Sequence, residues 1–463
     1  MSAVLASLLL VSVVSSVVYE QPELGAVDVD ERANGSTVVS VQGYNVGGDT
    51  KPSKPARLVS AGPNGDVEWE HRAERFNVSW FYDVDPLADG DLLVVGTIDG
   101  TTRVSRYDPD ADRIVWQEHL DIWDTHDITL TERGNLLVAN MRNTNDGTSD
   151  DRIYVYNRTT DEVQWEWLFR NHYPNSTDNG ISADDWTHVN DVDVIEPGLY
   201  ALSPRNFDQV IVVDRATGDV VMQLGGDGNL SVLDEQHNPS YLETEDGRPA
   251  FLVADSENDR VVEYTCDRGD PNHPLDGDMK PNCDWNRTWT VGVDQLQWPR
   301  DADRLPNGNT LVTDTLKHRV VEVTPRGEVV WEFSAPWLPF DAERLRHGHE
   351  PPGPTMADLN VSGSYALDRS ETAETIHDGT VPTRIQELVA GLPGGAPVGS
   401  AIERYQGVAP WVRPAWMSPS ALFLLVVGLL QALLWTLLEA YANRRRIRRR
   451  VRSLRERAWR PHR

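Results

Sequence analysis

Residues 184–214, DDWTHVNDVDVIEPGLYALSPRNFDQVIVVD, read as two strands joined by the turn Glu196-Pro197-Gly198. Residues two apart on an extended chain share a face, so His188 and Asn190 point one way and Val189 and Asp191 the other. The second run, 199–203, ends in Pro204-Arg205-Asn206. Pairing the runs as a hairpin returns Arg205 to the end that carries His188. Imidazole, amide and guanidinium then converge, which suits an anion.

Outward from this stretch the same order of features recurs: a polar entry, an aliphatic residue, a Gly turn, an LLV-type strand, a polar loop, a third strand, and a strand that usually contains Trp. Tyr82-Asp83 leads to 90–94, 104–108 and 114–116, and His126-Asp127 leads to 134–138, 153–156 and 163–165. The opening stretch is the third copy, continuing to 220–222. His237-Asn238 leads to 251–255, 260–264 and a Trp at Trp285 or Trp289; Pro299-Arg300-Asp301 leads to 308–312, 320–323 and 329–331. A partial copy, 56–59 with 67–69, holds only the last two strands. Repeats roughly 50 residues apart, each worth one four-stranded sheet, are the signature of a β-propeller. The expected fold is therefore all-β, a six-bladed β-propeller over 34–336. Either 34–41 or the region after Trp337 completes the half-unit. Beyond it, 337–417 reads as a capping segment and linker with a short helix at 383–389.

Both ends of the chain are apolar. Residues 3–18 form an apolar run without a basic start, so 1–19 is either a signal-anchor or a cleaved signal peptide. Residues 419–438, PSALFLLVVGLLQALLWTLL, suffice to cross a bilayer, giving a transmembrane helix at 418–440. The RRRIRRR cluster behind it marks 441–463 as a basic cytoplasmic tail and places the propeller outside the cell. Anionic lipid head groups are the expected partner of this tail, with nucleic acid the alternative.

The formal charge is −29, and because the last twenty residues hold eleven Arg against one Glu (+10), the remainder stands at −39. Such an acidic body argues against nucleic acid as its partner. Four Lys stand against 39 Arg, and Asp is abundant; this bias resembles that of proteins from salt-loving archaea. Cys266 and Cys283 flank a polar segment and read as a disulfide in an exported domain, with a two-Cys metal site as the alternative. Seven N-x-S/T sequons, at Asn34, Asn77, Asn157, Asn175, Asn229, Asn286 and Asn360, lean the same way, toward a glycosylated exterior.

Three consecutive copies place His at the polar entry: His126, His188 and His237. In a propeller the first strand of each blade lines the central channel, so these imidazoles would share one mouth. Taken singly, each could be an ordinary surface or hydrogen-bonding histidine; at equivalent repeat positions they favour function. No carboxylate cluster with metal-ligand spacing accompanies them in the sequence, although a His-only zinc or copper site stays open.

THDITLTERGNLLVAN, DWTHVNDVDV with SPRN, and EQHNPSYLETEDG resemble the successive motifs of the PAPS-independent arylsulfotransferase family, over roughly 67–333. The resemblance implies a six-bladed propeller that moves a sulfuryl group from an aryl sulfate donor to a hydroxyl acceptor, without PAPS or another cofactor. It also implies that His237, in the Gln236-His237 pair, takes the group covalently. His126 matches the family's HD motif, His188 and Asn190 its DWxHxN element, and Arg205 its SxRN element. These residue types suit those roles: a neutral imidazole is a competent nucleophile. Arg205 would hold sulfate oxygens bidentately, His188 and Asn190 would donate to the developing charge, and His126 would carry the proton of the phenol. Two readings from other classes stay open: a non-catalytic cell-surface propeller that binds glycan or protein, and a metal- or quinone-dependent oxidoreductase on the same scaffold.

Overall fold

The computed structural model describes residues 21–43, 54–267, 283–369, 380–390 and 394–444, together with 11–12, 14–16, 19 and 392. The chain forms two compact units, one of Pro22–Ile376 and one of Met1–Gln21 with His377–Arg463.

The larger unit is a six-bladed β-propeller. Blade 1 runs through Trp80–Pro86, Leu92–Ile98, Thr101–Asp108 and Arg113–Trp123; blade 2 through Ile128–Leu130, Leu136–Asn140, Arg152–Asn157 and Glu162–Leu168. Blade 3 is the opening stretch and its continuation: Val189–Glu196, Leu199–Pro204, Gln209–Asp214 and Val220–Gly225. Its first hairpin pairs Val189 with Pro204 and Glu196 with Leu199. Gly198 sits in the turn at φ +93°, a conformation that a Cβ disfavours. Blade 4 holds His237–Glu243, Pro249–Asp255, Arg260–Cys266 and Trp285–Val291, and blade 5 Pro299–Arg304, Thr310–Asp314, Arg319–Val323 and Val329–Ser334.

Both expected sources close the ring. In blade 6, Pro339–Arg344 is innermost, followed by Thr37–Val41, Arg57–Ala61 and Val67–Arg72. Two further strands take the sheets beyond 34–336. Gly25–Val29 pairs antiparallel with the outer strand of blade 5, and Gly363–Tyr365 pairs parallel with that of blade 4. Each covers a row of edge N–H and C=O groups that would otherwise invite pairing with another chain.

The middle strands read as continuous apolar runs rather than alternating ones because both faces are covered by neighbouring blades. Between blades 2 and 3, Ile153, Trp167, Trp186, Val192, Leu202 and Ile211 pack into one buried cluster. Burying one such aliphatic side chain contributes about 1.5–3 kcal/mol. Cys266 and Cys283 form a disulfide at a Cα–Cα distance of 5.4 Å; the segment between them, from 268 to 282, lies outside the described residues.

The smaller unit contains the helices Val381–Ala390, Ala396–Val412 and Pro419–Ala442. Ser418 caps the last one, its Oγ accepting from the Ala421 amide at 3.1 Å, and Pro419 stands in the first turn, where no N–H is needed. This helix is long and apolar enough to cross a membrane. Ser12 Oγ donates to its Ala421 carbonyl at 2.9 Å. Most of the apolar run 3–18 and nearly all of the basic tail lie outside the described residues.

Candidate active site

In blades 2 to 6 the chain enters each inner strand through a residue in the left-handed region: Asp124 (φ 50°), His188 (42°), Glu235 (46°), Trp298 (53°) and Leu338 (61°). Two positions further on stand His126, Asn190, His237, Arg300 and Phe340, and Tyr82 takes the matching place in blade 1. Register shifts follow at Phe81/Val84, Val189/Val192, His237/Ser240 and Pro299/Asp301. Such bulges re-aim a side chain at the rim of a closed sheet. One residue per blade thus surrounds the mouth of the channel.

This geometry corrects the expectation that His126, His188 and His237 are equivalent. Asn190 ranks with His126 and His237, while His188 is the left-handed entry residue, just before its strand begins. His188 still reaches the same mouth: its ring lies 5.0 Å from that of His126, which is 4.2 Å from Tyr82 and 5.4 Å from Phe340. The His237 ring lies 6.3 Å from Phe340 and 5.7 Å from Trp298. Arg205 arrives from the short 3-10 turn Arg205–Phe207 between the second and third strands of blade 3, held 3.3 Å from Glu235. All five residues expected from the sequence therefore gather at one mouth.

Their partners determine what each can do. Asn190 Nδ2 donates to the Gln236 carbonyl at 2.9 Å, tying blade 3 to the peptide that precedes His237. Gln236 is fully buried and donates to Ser203 Oγ (3.1 Å) and the Gln209 carbonyl (2.7 Å), so it acts as a clamp between blades. Ser256 Oγ stands 2.8 Å from His237 Nδ1 and 2.7 Å from the Pro299 carbonyl. Its single hydrogen goes to that carbonyl, which can only accept, so the hydroxyl oxygen accepts from His237 Nδ1–H. The lone pair of His237 is then on Nε2, which is buried and, among the described residues, has no hydrogen-bond partner. His188 follows the same logic, with Nδ1–H donating to Asp185 Oδ2 at 2.7 Å and Nε2 without a hydrogen-bond partner among the described residues. Arg142 steadies this arrangement by bridging Asp185 (3.1 Å) and Asp124 (2.6 Å), and Asp124 also accepts from Tyr82 Oη at 2.6 Å.

Burial holds all three imidazoles neutral. Desolvation depresses His126 well below its ordinary value, helped by His188, Arg300 and Arg142. His188 falls to about 3 through burial and the Arg205 charge, against the opposing pull of Asp185. His237 is depressed by burial, then by Arg300 and Arg205. Arg300 itself is lowered to about 9 by burial; it stacks over Trp298 (4.3 Å) and Phe340 (4.7 Å) and donates to Gln42 Oε1 at 2.7 Å. The mouth thus combines neutral imidazoles with guanidinium groups, a setting that attracts an anion and leaves a nitrogen free to attack it.

Sequence reasoning missed Tyr82, Arg142, Asp185, Ser256, Arg300 and Phe340. Tyr82 and Arg300 were visible as polar entries of their repeats, and Asp185 lies inside the opening stretch. Ser256 and Phe340 carry no local signal.

A model of the arylsulfotransferase (ASST) family matches residues 97–335, just over half of the chain. No curated protein sequence matches it. Similar solved structures include a protein of unknown function from Bacteroides caccae, at 14% identity over 72% of this chain and 98% of that one with a TM-score of 0.42. Another is a catalytically inactive virginiamycin B lyase from Staphylococcus aureus with quinupristin, at 11% identity over 67% and 87% with a TM-score of 0.38.

Proposed function

The chain belongs to the arylsulfotransferase (ASST) family, and from that premise we propose that it moves a sulfuryl group from an aryl sulfate to a hydroxyl acceptor through a sulfohistidine at His237. The observation that carries this reading is the Pro299–Ser256–His237 relay, which leaves a buried Nε2 lone pair facing a mouth rich in guanidinium groups.

In the first half-reaction His237 Nε2 attacks sulfur, the bond from sulfur to the aryl oxygen breaks, and the phenolate departs to take its proton from solvent. In the second, the acceptor hydroxyl gives its proton to a neutral imidazole at the mouth, its oxygen attacks sulfur, the N–S bond breaks, and the imidazolium then releases that proton to solvent. One proton leaves with the phenol and one arrives with the acceptor, so the cycle closes. The sequence reading put this proton on His126. The carboxylate of Asp185 on Nδ1 favours His188 for the task, because it stabilises the charged imidazole that forms. Arg205 and Arg300 would hold the sulfate oxygens, and the second N–H of Asn190 would donate to the charge that builds on them.

The apolar helix Pro419–Ala442 ahead of a basic tail favours a membrane-tethered enzyme with its propeller outside the cell. The disulfide supports an oxidising exterior. Six of the seven sequon asparagines are exposed, which suits a glycosylated surface; Asn157 is half-buried.

The test uses the purified chain in molar salt with an aryl sulfate and a phenol. Transfer is expected, together with a mass increase of about 80 Da on His237 in donor-treated protein, the SO₃ increment. His237→Ala should be inert, and full transfer by that variant would remove the nucleophile assignment. Wild-type protein that binds these compounds without transfer would point to the binding-module reading.

A further inference from the structure

Beyond the histidine mouth the channel is lined by buried carboxylates of two kinds. Asp127, Asp301 and Asp341 are latches, each accepting from the backbone of the next inner strand: Val192 N at 2.6 Å, Ala342 N at 3.3 Å and Val84 N at 2.9 Å. Two residues further along the strands of Asp301 and Asp341 stand Asp303 and Glu343, and Asp85 and Asp193 take the same place in blades 1 and 3, two residues beyond Asp83 and Asp191. Into their midst the chain following blade 6 inserts His349 and Glu350. His349 Nε2 lies 2.6 Å from Asp193 Oδ1, and its Nδ1 lies 3.1 Å from Asp85 Oδ1 and 3.3 Å from Glu343 Oε1. Glu350 is held in a left-handed conformation at φ 51° and accepts from Ser240 Oγ at 2.5 Å.

Two independent observations point to a ligand here. First, Asp193, His349 and Glu350 each present one donor atom, all within 4.8 Å of one another. Second, among the described residues, buried oxygens around them have no hydrogen-bond partner: Oδ2 of Asp85, Oδ2 of Asp303 and Oε2 of Glu343, on residues only 2%, 3% and 4% exposed. Five carboxylates gather around a single imidazole. Buried charge on this scale persists only when it is neutralised by protons or by a cation.

We propose that this lower chamber of the channel binds one divalent metal cation, ligated by Asp193, Glu350 and His349, with Asp85 or Glu343 completing the shell. Carboxylates select the magnesium, calcium and manganese class, and the single imidazole selects Mn²⁺ within it. The site joins blade 3 to the segment that follows blade 6, so its occupancy would reinforce closure of the ring. It is separate from the histidines of the mouth and does not depend on the sulfuryl-transfer reading.

The full chain, depleted with EDTA and titrated with MnCl₂ in a calorimeter, tests this. One equivalent is expected to bind, with the melting temperature lowered by EDTA and restored by Mn²⁺. Glu350→Gln and Asp193→Asn should each weaken binding at least tenfold, which separates the chamber from adventitious surface carboxylates. Wild-type protein that binds Mn²⁺ no more tightly than about 1 mM would overturn the site. Binding unchanged in both variants would overturn it too. The wild-type titration stands by itself should a substituted chain fail to fold.

Discussion

In the proposed reaction a serine chooses which nitrogen of His237 attacks. Ser256 comes from the turn after the second strand of blade 4, and the carbonyl that orients its hydroxyl belongs to Pro299 of blade 5. In Ser256→Ala the imidazole loses the partner that fixes its tautomer. One hydrogen bond of about 0.5–1.5 kcal/mol corresponds to sulfuryl labelling of His237 slower by roughly 2–10-fold, measurable by timed mass spectrometry. An unchanged rate would mean that the tautomer is set elsewhere. The depressed imidazoles also predict a pH profile. A free histidine loses its lone pair to a proton below its ordinary value of about 6.5. Here burial and the neighbouring guanidinium groups move that protonation lower, so the first half-reaction should stay flat as pH falls through 6.5 and decline only in more acidic solution. An acid limb centred at 6.5 in single-turnover kinetics would contradict the buried, neutral state. Of these residues, His126, His188, Asn190, Arg205 and His237 were legible through motif resemblance. Ser256 was not, because a serine in a turn says nothing of the carbonyl that orients it.

At the scale of the element, the inner strand with its left-handed entry does the positioning. A non-glycine residue in that conformation costs about 1–2 kcal/mol, yet five blades adopt it at the same place, which directs the next residues into the channel. The sequence shows the repeats but not this offset, so His188 was ranked with His126 when Asn190 is its true counterpart. The pairing of 189–196 with 199–204, by contrast, was legible from the Pro-Gly turn, although the strand begins after His188 and bulges at Val189/Val192 and Val194/Glu196 break the two-residue alternation. Gly198 offers a clean test of that turn. A Cβ built there meets nothing within 4 Å, so Gly198→Ala introduces backbone strain without a clash. The expected loss is about 1–2 kcal/mol, read as a lower midpoint in chemical denaturation with activity per folded molecule preserved. A stability equal to wild type would mean that the turn relaxes to another type.

For the whole molecule, closure and charge decide stability. Blade 6 takes its inner strand from Pro339–Arg344 and its other three from residues before 73, so neither end of the propeller completes the ring without the other. The charge of −39 outside the tail makes the fold repel itself in dilute buffer. At about 1 M salt the Debye length is about 3 Å and that repulsion is screened. The melting temperature should therefore climb steadily from 0.1 M to several molar KCl, roughly following ionic strength. A flat or falling trend would remove the halophilic reading.

What the sequence by itself determined is what local order can encode. Repeat spacing, strand alternation and turn residues specify six blades, and one apolar run specifies a helix able to cross a membrane; none of these requires knowing which distant residues meet. The tertiary structure decided which nitrogen of His237 is free, that Arg300 and Phe340 complete the mouth, and that His349 is set among channel carboxylates. Each of these rests on contacts between residues far apart in the chain, such as Val84 with Asp341, 257 positions away, and Asp193 with His349, 156 positions away. Only closing the ring brings such residues together, because strands that are remote in sequence become neighbours around a single axis.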